Sequence, residues 1–190
     1  MQIYMMRHGE TDWNLQKRMQ GRADIPLNAA GLEQARRAAE ELREIRFDRI
    51  YSSPLCRARV TAERIAEGRG LPVLTDERLT EIGFGILEGS ERGMNPEAHA
   101  YFHDPAHYHP CEGGESYEEL DARCADVLEN LLIPLEKQCR TILVCSHGGW
   151  INGVIRHILN RPLEDFWKDP PRPNCGCVLV DCTEGKLCLL

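Results

Sequence analysis

Three short apolar runs in this chain each end abruptly in polar side chains. Gln2 to Met6 breaks into Arg7-His8-Gly9, Arg49 to Ser52 into Ser53 with Arg57 shortly after, and Thr141 to Ser146 into His147-Gly148-Gly149. Runs of this length, rich in β-branched and long apolar residues, read as buried strands. Helical patterns separate them, and strands alternating with helices imply a layered α/β fold. The expected architecture is a three-layer, doubly wound, mainly parallel sheet with helices on both faces. In such sheets, ligands bind outside the carboxyl ends of the strands. The first, second and strongest strands would therefore bring Arg7, His8, Ser53, Arg57 and His147 to one crevice.

In chain order, residues 10–28 read as a long polar loop punctuated by Gly and Pro. Asn28 is an N-cap candidate for a helix reaching about Arg43, with Leu32, Ala35, Ala39 and Leu42 near helical spacing. Ser53-Pro54 is expected to open a second helix that carries Arg57 one turn in. Pro72 to Leu74 reads as a strand. Residues 116–138 are helical in pattern, with Pro134 marking a kink or break. A helix follows His147 to about Leu159. Cys177 to Cys182 and Lys186 to Leu190 close the chain as a hairpin around Glu184-Gly185. Residues 83–115, rich in Gly, Pro and His, read as an insertion over one face of a single domain spanning 1–190.

Composition excludes several classes. The 190 residues are 42% hydrophobic and 28% charged, with a net charge of −7. That acidic excess argues against nucleic-acid and anionic-membrane partners, though not against a local basic pocket. No apolar run approaches a membrane span and no secretory leader pattern opens the chain, so a cytoplasmic protein, monomeric or homodimeric, is expected. The nine cysteines are odd in number, form no Cys-x-x-Cys and sit mostly in apolar segments. They read as reduced structural thiols.

A lone Arg-His pair at a strand end is often no more than a solvated edge. Two Arg and two His at three strand ends, with helix N-termini beside them, instead describe a phosphate site. Neutral imidazole is a nucleophile near pH 7 and can form a covalent intermediate.

The motifs go further. Arg7-His8-Gly9-Glu10-Thr11-x-Trp13-Asn14, Gln20-Gly21, Asp24-x-Pro26-Leu27 and Gly31-x-x-Gln34-Ala35 run in order through the amino-terminal part. Ser52-Ser53-Pro54-Leu55-x-Arg57-Ala58 follows. Next come Glu81-Ile82-x-Phe84-Gly85-x-Leu87-Glu88-Gly89, Gly113-Gly114-Glu115-Ser116 with Arg123, and Ser146-His147-Gly148-Gly149. This series resembles the signature of the histidine phosphatase (phosphoglycerate mutase-like) superfamily nearly end to end, with Leu87 where many members have Trp. The short form looks most like the broad-specificity and α-ribazole phosphatase branch.

The resemblance implies a phosphomonoester hydrolase working through phosphohistidine, with no cofactor and no metal. His8 would attack phosphorus, and Arg7, Arg57 and His147 would hold the phosphoryl oxygens. Asn14 and the Gly148 amide would donate further hydrogen bonds, and Gln20-Gly21 would form a pocket wall. Glu81 would protonate the leaving alkoxide and then deprotonate water. Positioned cations would supply the charge stabilisation for which other enzymes use Mg²⁺.

Phosphoglycerate mutase is the alternative activity, and a non-catalytic phosphate-binding module the alternative of another class. Between Arg92 and Arg123 the chain has no Lys or Arg but carries Glu97, Asp104, Glu112 and Glu115. That composition leads to the expectation of a neutral or aromatic leaving group. Cations from elsewhere in the fold, such as Arg22 or Arg92, reaching a second anion would contradict it. Tyr101, Phe102, Tyr108 and Tyr117 read as packing in the insertion, some of them as pocket lining. His99, His103, His107 and His109 read as a polar lid, with Pro96, Pro105 and Pro110 expected to interrupt any helix there.

Overall fold

The computed structural model describes residues 1–169 and 172–190. Six strands form one sheet: β1 (Gln2–Arg7), β2 (Arg49–Ser52), β3 (Val73–Thr75), β4 (Thr141–Ser146), β5 (Cys177–Thr183) and β6 (Lys186–Leu189), in the order β3-β2-β4-β1-β5-β6. β1, β2, β3 and β4 pair in parallel, while β5 lies antiparallel to β1 and β6 antiparallel to β5. Glu184 and Gly185 both take positive φ in the β5–β6 turn, the requirement of a tight two-residue hairpin.

Side-chain alternation along the central strands sorts the core into two layers. Ile3, Met5, Ile142 and Val144 face one cluster, whereas Met6, Leu143 and Cys145 face the other. Strands buried on both faces need uninterrupted apolar sequence, and β4 has it. Helices α2 (Ala29–Glu41) and α3 (Cys56–Ala66) cover the second cluster; α5 (Tyr117–Val127) and α6 (Gly148–Leu159) cover the first.

Several local expectations are corrected. The 10–28 loop contains a short helix, α1 (Asp12–Leu15), opened by a Thr11/Asn14 capping box. In α2 the buried face is Gly31, Ala35 and Ala38, and Leu32 is exposed. Pro54 precedes α3 rather than opening it, so Arg57 falls in the first turn. The kink or break expected at Pro134 is present: after α5 the chain passes through a π turn (Leu128–Leu132) into a 3-10 turn (Ile133–Lys137). Pro134 has no N–H to continue an α-helix. Pro96 starts rather than breaks a helix, α4 (Pro96–His103), capped by Asn95.

All nine cysteines are free; Cys124, Cys139, Cys145 and Cys182 are buried, but Cys177 and Cys188 are exposed on the β5–β6 hairpin. Among the described residues no helix is long and apolar enough to cross a membrane.

The turn after β1 is pinned to α2. Gln34 Oε1 accepts from the Glu10 amide at 2.9 Å, and Asn28 caps α2 through the Gly31 amide at 2.8 Å. A Cβ on Gly31 would lie 2.0 Å from the Glu10 carbonyl oxygen. Gly→Ala inside a helix ordinarily stabilises by up to about 1 kcal/mol. Here Gly31→Ala is expected to destabilise by about 1–3 kcal/mol, the range for overpacking. A urea melt checks this, and an unchanged or raised midpoint would contradict the contact.

Candidate active site

β1 and β4 run side by side with Arg7 opposite Ser146, and the His8 amide donates to the Ser146 carbonyl at 3.0 Å. This register places His8 and His147 together, ring centroids 5.2 Å apart. β2, on the other side of β4, delivers Ser53 and α3. His147 lies 2.8 Å, Nε2 to Oγ, from Ser53. The crevice at these carboxyl ends opens into a pocket of about 770 Å³, including the solvent at its mouth.

His8 is almost fully buried, and its Nδ1 lies 2.7 Å from the Gly9 carbonyl. A carbonyl only accepts, so Nδ1 carries the proton and Nε2 keeps its lone pair. Burial, reinforced by Arg57 and Arg7, holds the His8 pKa well below the ordinary imidazole value. The ring is neutral at pH 7, the state a nucleophile needs. His147 is neutral for the same leading reason. The Ser53 oxygen that holds His147 Nε2 also accepts from the Leu55 amide at 3.3 Å.

Around these rings, three buried polar atoms have no hydrogen-bond partner: Arg7 Nε, Arg57 Nε and His147 Nδ1. Buried polar atoms are normally satisfied, so three together call for a ligand. The guanidinium groups are held in place by backbone carbonyls. Arg57 donates to Ala23 and Gly21 oxygens, each at 2.7 Å, and Arg7 donates to the Arg172 oxygen at 2.5 Å.

Asn14 Oδ1 accepts from Thr11 N at 3.2 Å and from Asn174 Nδ2 at 3.3 Å, leaving its own Nδ2 as the donor toward the pocket. Gln20 Oε1 accepts from the Thr11 hydroxyl at 3.0 Å, with the same consequence. Gly21, at φ 53°, is at once a turn and a pocket wall. Gly148 heads α6, where the first amides lack intrahelical acceptors.

The next two amides of α6 are taken by Glu81. Gly149 N lies 3.1 Å from Oε2 and Trp150 N 3.0 Å from Oε1. A Cβ on Gly149 would lie 2.7 Å from Glu81 Oε1 and 2.6 Å from the Tyr101 hydroxyl, so glycine is what lets the carboxylate in. The strand-less segment carrying Glu81 is tied down by Arg123, which donates to the Arg78 and Thr80 carbonyls at 2.8 and 2.7 Å. Arg123 is itself clamped on Glu115 at 2.8–2.9 Å. The Ser146 hydroxyl adds a bond to the Leu79 carbonyl at 2.7 Å. The Gly-Gly-Glu-Ser motif and Arg123 thus act together to position Glu81.

The sequence profile of the histidine phosphatase superfamily (branch 1) matches residues 3–190. The chain belongs to the histidine phosphatase superfamily. It is 36% identical over 166 residues to a Shigella dysenteriae protein named probable phosphoglycerate mutase GpmB, covering 85% of this chain and 76% of that one. A mycobacterial glucosyl-3-phosphoglycerate phosphatase structure superposes with a TM-score of 0.88 at 30% identity, covering 100% of this chain and 96% of the other. The Shigella flexneri α-ribazole phosphatase gives 0.87 at 27%, covering 100% and 95%.

In this member of the superfamily, every residue expected at the site from sequence lies at the strand-end crevice: His8, Arg7, Arg57, Glu81, Asn14, Gln20, Gly21 and Gly148 line the pocket and His147 lies behind it. The expectation about the insertion fails. Glu97, Asp104 and Glu112 are exposed, and Glu115 is consumed by Arg123 and by Arg22 at 3.2 Å. None of these acids lines the pocket. The apolar side of α4, Ala98 and Tyr101, is what packs inward, turning Glu97, His99 and His103 to solvent.

Tyr101 and Phe102 do reach the pocket, joined by Arg92, Asn152, Trp167 and Arg172. Of these, Asn152, Trp167 and Arg172, like the His8-binding Asn174, were not expected. They lie on an otherwise apolar helix face or in the Pro-rich approach to β5, where periodicity carries no signal.

Proposed function

We propose that this chain hydrolyses small-molecule phosphomonoesters through a phosphohistidine on His8 Nε2. The observation that carries the proposal is the pair of unpartnered donors Arg7 Nε and Arg57 Nε, with the unpartnered His147 Nδ1, buried beside a neutral His8. A phosphoryl group in the pocket would satisfy both guanidinium donors. His8 Nε2 forms the new N–P bond in line while the ester P–O bond breaks, and the departing alkoxide takes a proton from Glu81. Water then attacks the phosphohistidine, giving its proton back to Glu81, and inorganic phosphate leaves with His8 restored. The guanidinium groups and helix N-terminus carry the charge on the equatorial oxygens, so the proposed chemistry needs no metal.

The phosphatase activities named for the α-ribazole and glucosyl-3-phosphoglycerate proteins support hydrolysis; the name of the GpmB relative supports mutase chemistry on the same core. A binding module would be expected to lack one of these groups, and here all are in place.

The test is hydrolysis of p-nitrophenyl phosphate in EDTA, with 3-phosphoglycerate isomerisation in the presence of 2,3-bisphosphoglycerate measured alongside. Turnover in EDTA with little isomerisation is expected; efficient isomerisation would sink the hydrolase assignment. Glu81→Gln is expected to lower turnover by about 10²–10⁴. With p-nitrophenyl phosphate, whose leaving group needs little protonation, labelled phosphoenzyme should accumulate because water loses its base. A Glu81→Gln enzyme that turns over normally would remove Glu81 from the mechanism.

A further inference from the structure

His99, His103, His107 and His109 all lie in the insertion, and the phosphoryl chemistry uses none of them. Two of them share one helix. α4 runs unbroken from Pro96 to His103, so His99 and His103 stand four residues apart within it. Residues at that spacing lie one above the other on a single helix face. Their ring centroids are 4.4 Å apart, with the planes inclined at 38°. Both side chains are exposed, and neither lines the pocket. His107, in contrast, is engaged by Asp104 at 2.8 Å.

The separation of the rings is that of two imidazoles on one ion. A ring nitrogen binds a transition metal at about 2.0–2.1 Å, which puts the ring centroid about 3.2 Å from the ion. Two rings in adjacent positions of a tetragonal or octahedral ion then have centroids about 4.5 Å apart, and in a tetrahedral ion about 5.2 Å. The spacing of 4.4 Å matches the first arrangement. Cu²⁺ and Ni²⁺ take such sites with nitrogen and oxygen ligands.

The surroundings favour a cation. No Lys or Arg occurs between Arg92 and Arg123, while Glu97 and Asp104, both exposed, flank the pair in sequence. Among the described residues no third His, Cys, Asp or Glu completes the set, so the other coordination positions fall to water.

We propose that His99 and His103 form a surface site for a divalent transition-metal ion of tetragonal or octahedral preference, Cu²⁺ or Ni²⁺. The site is separate from the catalytic crevice and does not rest on the phosphomonoesterase proposal. Tyr101 and Phe102 lie in the turn that the ion bridges, and both line the pocket. A bound ion therefore braces the turn that presents those two rings.

The experiment titrates untagged full-length protein with Ni²⁺, because nine thiols compete for copper. Calorimetry should show Ni²⁺ binding, and the paramagnetic ion should broaden the amide NMR signals of residues 96–104 most strongly. His99→Ala and His103→Ala, both at exposed positions, should each weaken binding by at least about tenfold, since removing a group that merely orients a metal ligand already costs that much. His107→Ala should leave binding unchanged, and Zn²⁺ should bind no more tightly than Ni²⁺.

Wild-type protein that does not bind Ni²⁺ overturns the site. So does binding that survives both substitutions, or broadening centred on His107, His109 or the cysteines. Zn²⁺ binding tighter than Ni²⁺ overturns the geometry assigned to the ion.

Discussion

His8→Ala is expected to reduce phosphomonoester turnover by on the order of 10⁶, the scale on which loss of a covalent nucleophile is felt. Positioned cations cannot substitute for it, because they stabilise a transfer that then lacks an acceptor. The acid-labile, alkali-stable phosphoenzyme formed by the wild type should be absent. The substitution removes a ring that, among the described residues, is hydrogen-bonded only to the carbonyl of the next residue, so the fold should persist. His147 is a neutral imidazole 5.2 Å away and is the competing imidazole at the site. Its Nε2 is engaged by Ser53, whereas His8 Nε2 is unengaged. Label on His147, or on any of the nine thiols, would overturn the assignment of His8.

Arg57→Ala should cost about 10²–10³ in kcat/KM, the typical loss for one preorganised donor to a developing oxyanion. The structure adds a stability effect. Arg57 is completely buried, and its guanidinium satisfies the Gly21 and Ala23 carbonyls. Each carbonyl left without a donor costs about 1–3 kcal/mol unless water reaches it. A lower melting temperature should therefore accompany the kinetic loss. Arg57→Lys retains the charge but not the fork that spans two carbonyls and a phosphoryl group. It should recover part of the activity and little of the stability. A folded Arg57→Ala protein within tenfold of wild-type kcat/KM would place this side chain outside the chemistry.

Both predictions depend on features that local sequence expresses directly. β1 and β4 were legible because a buried strand demands an unbroken apolar run, and Gly9 and Gly148 follow where the backbone must turn at its end. Asn28, Ser116 and Asn160 mark helix ends because orphan backbone groups need a short polar side chain or a left-handed residue there. Placement of Pro54 was off by two residues, since the residues around a proline fix the backbone locally but do not decide which following amide first enters the helix. The helix at Pro96–His103 was missed because proline is compatible with the first helical position as well as with a break.

By itself the sequence determined the chemistry of the strand ends: a histidine between an arginine and a glycine, a second His-Gly pair, an arginine after Ser-Ser-Pro and a glutamate within its own motif. These are short-range patterns, and parallel pairing suffices to bring them together. Tertiary structure alone decided the charge of the leaving-group side. Counting residues between Arg92 and Arg123 suggests an acidic lining, yet burial of Ala98 and Tyr101 turns Glu97 outward, and Arg123 takes up Glu115. Arg92 and Arg172, distant in sequence and outside any motif, line the pocket instead. The direction a side chain faces is set by which surface of its segment packs against the core, and no local spacing encodes that.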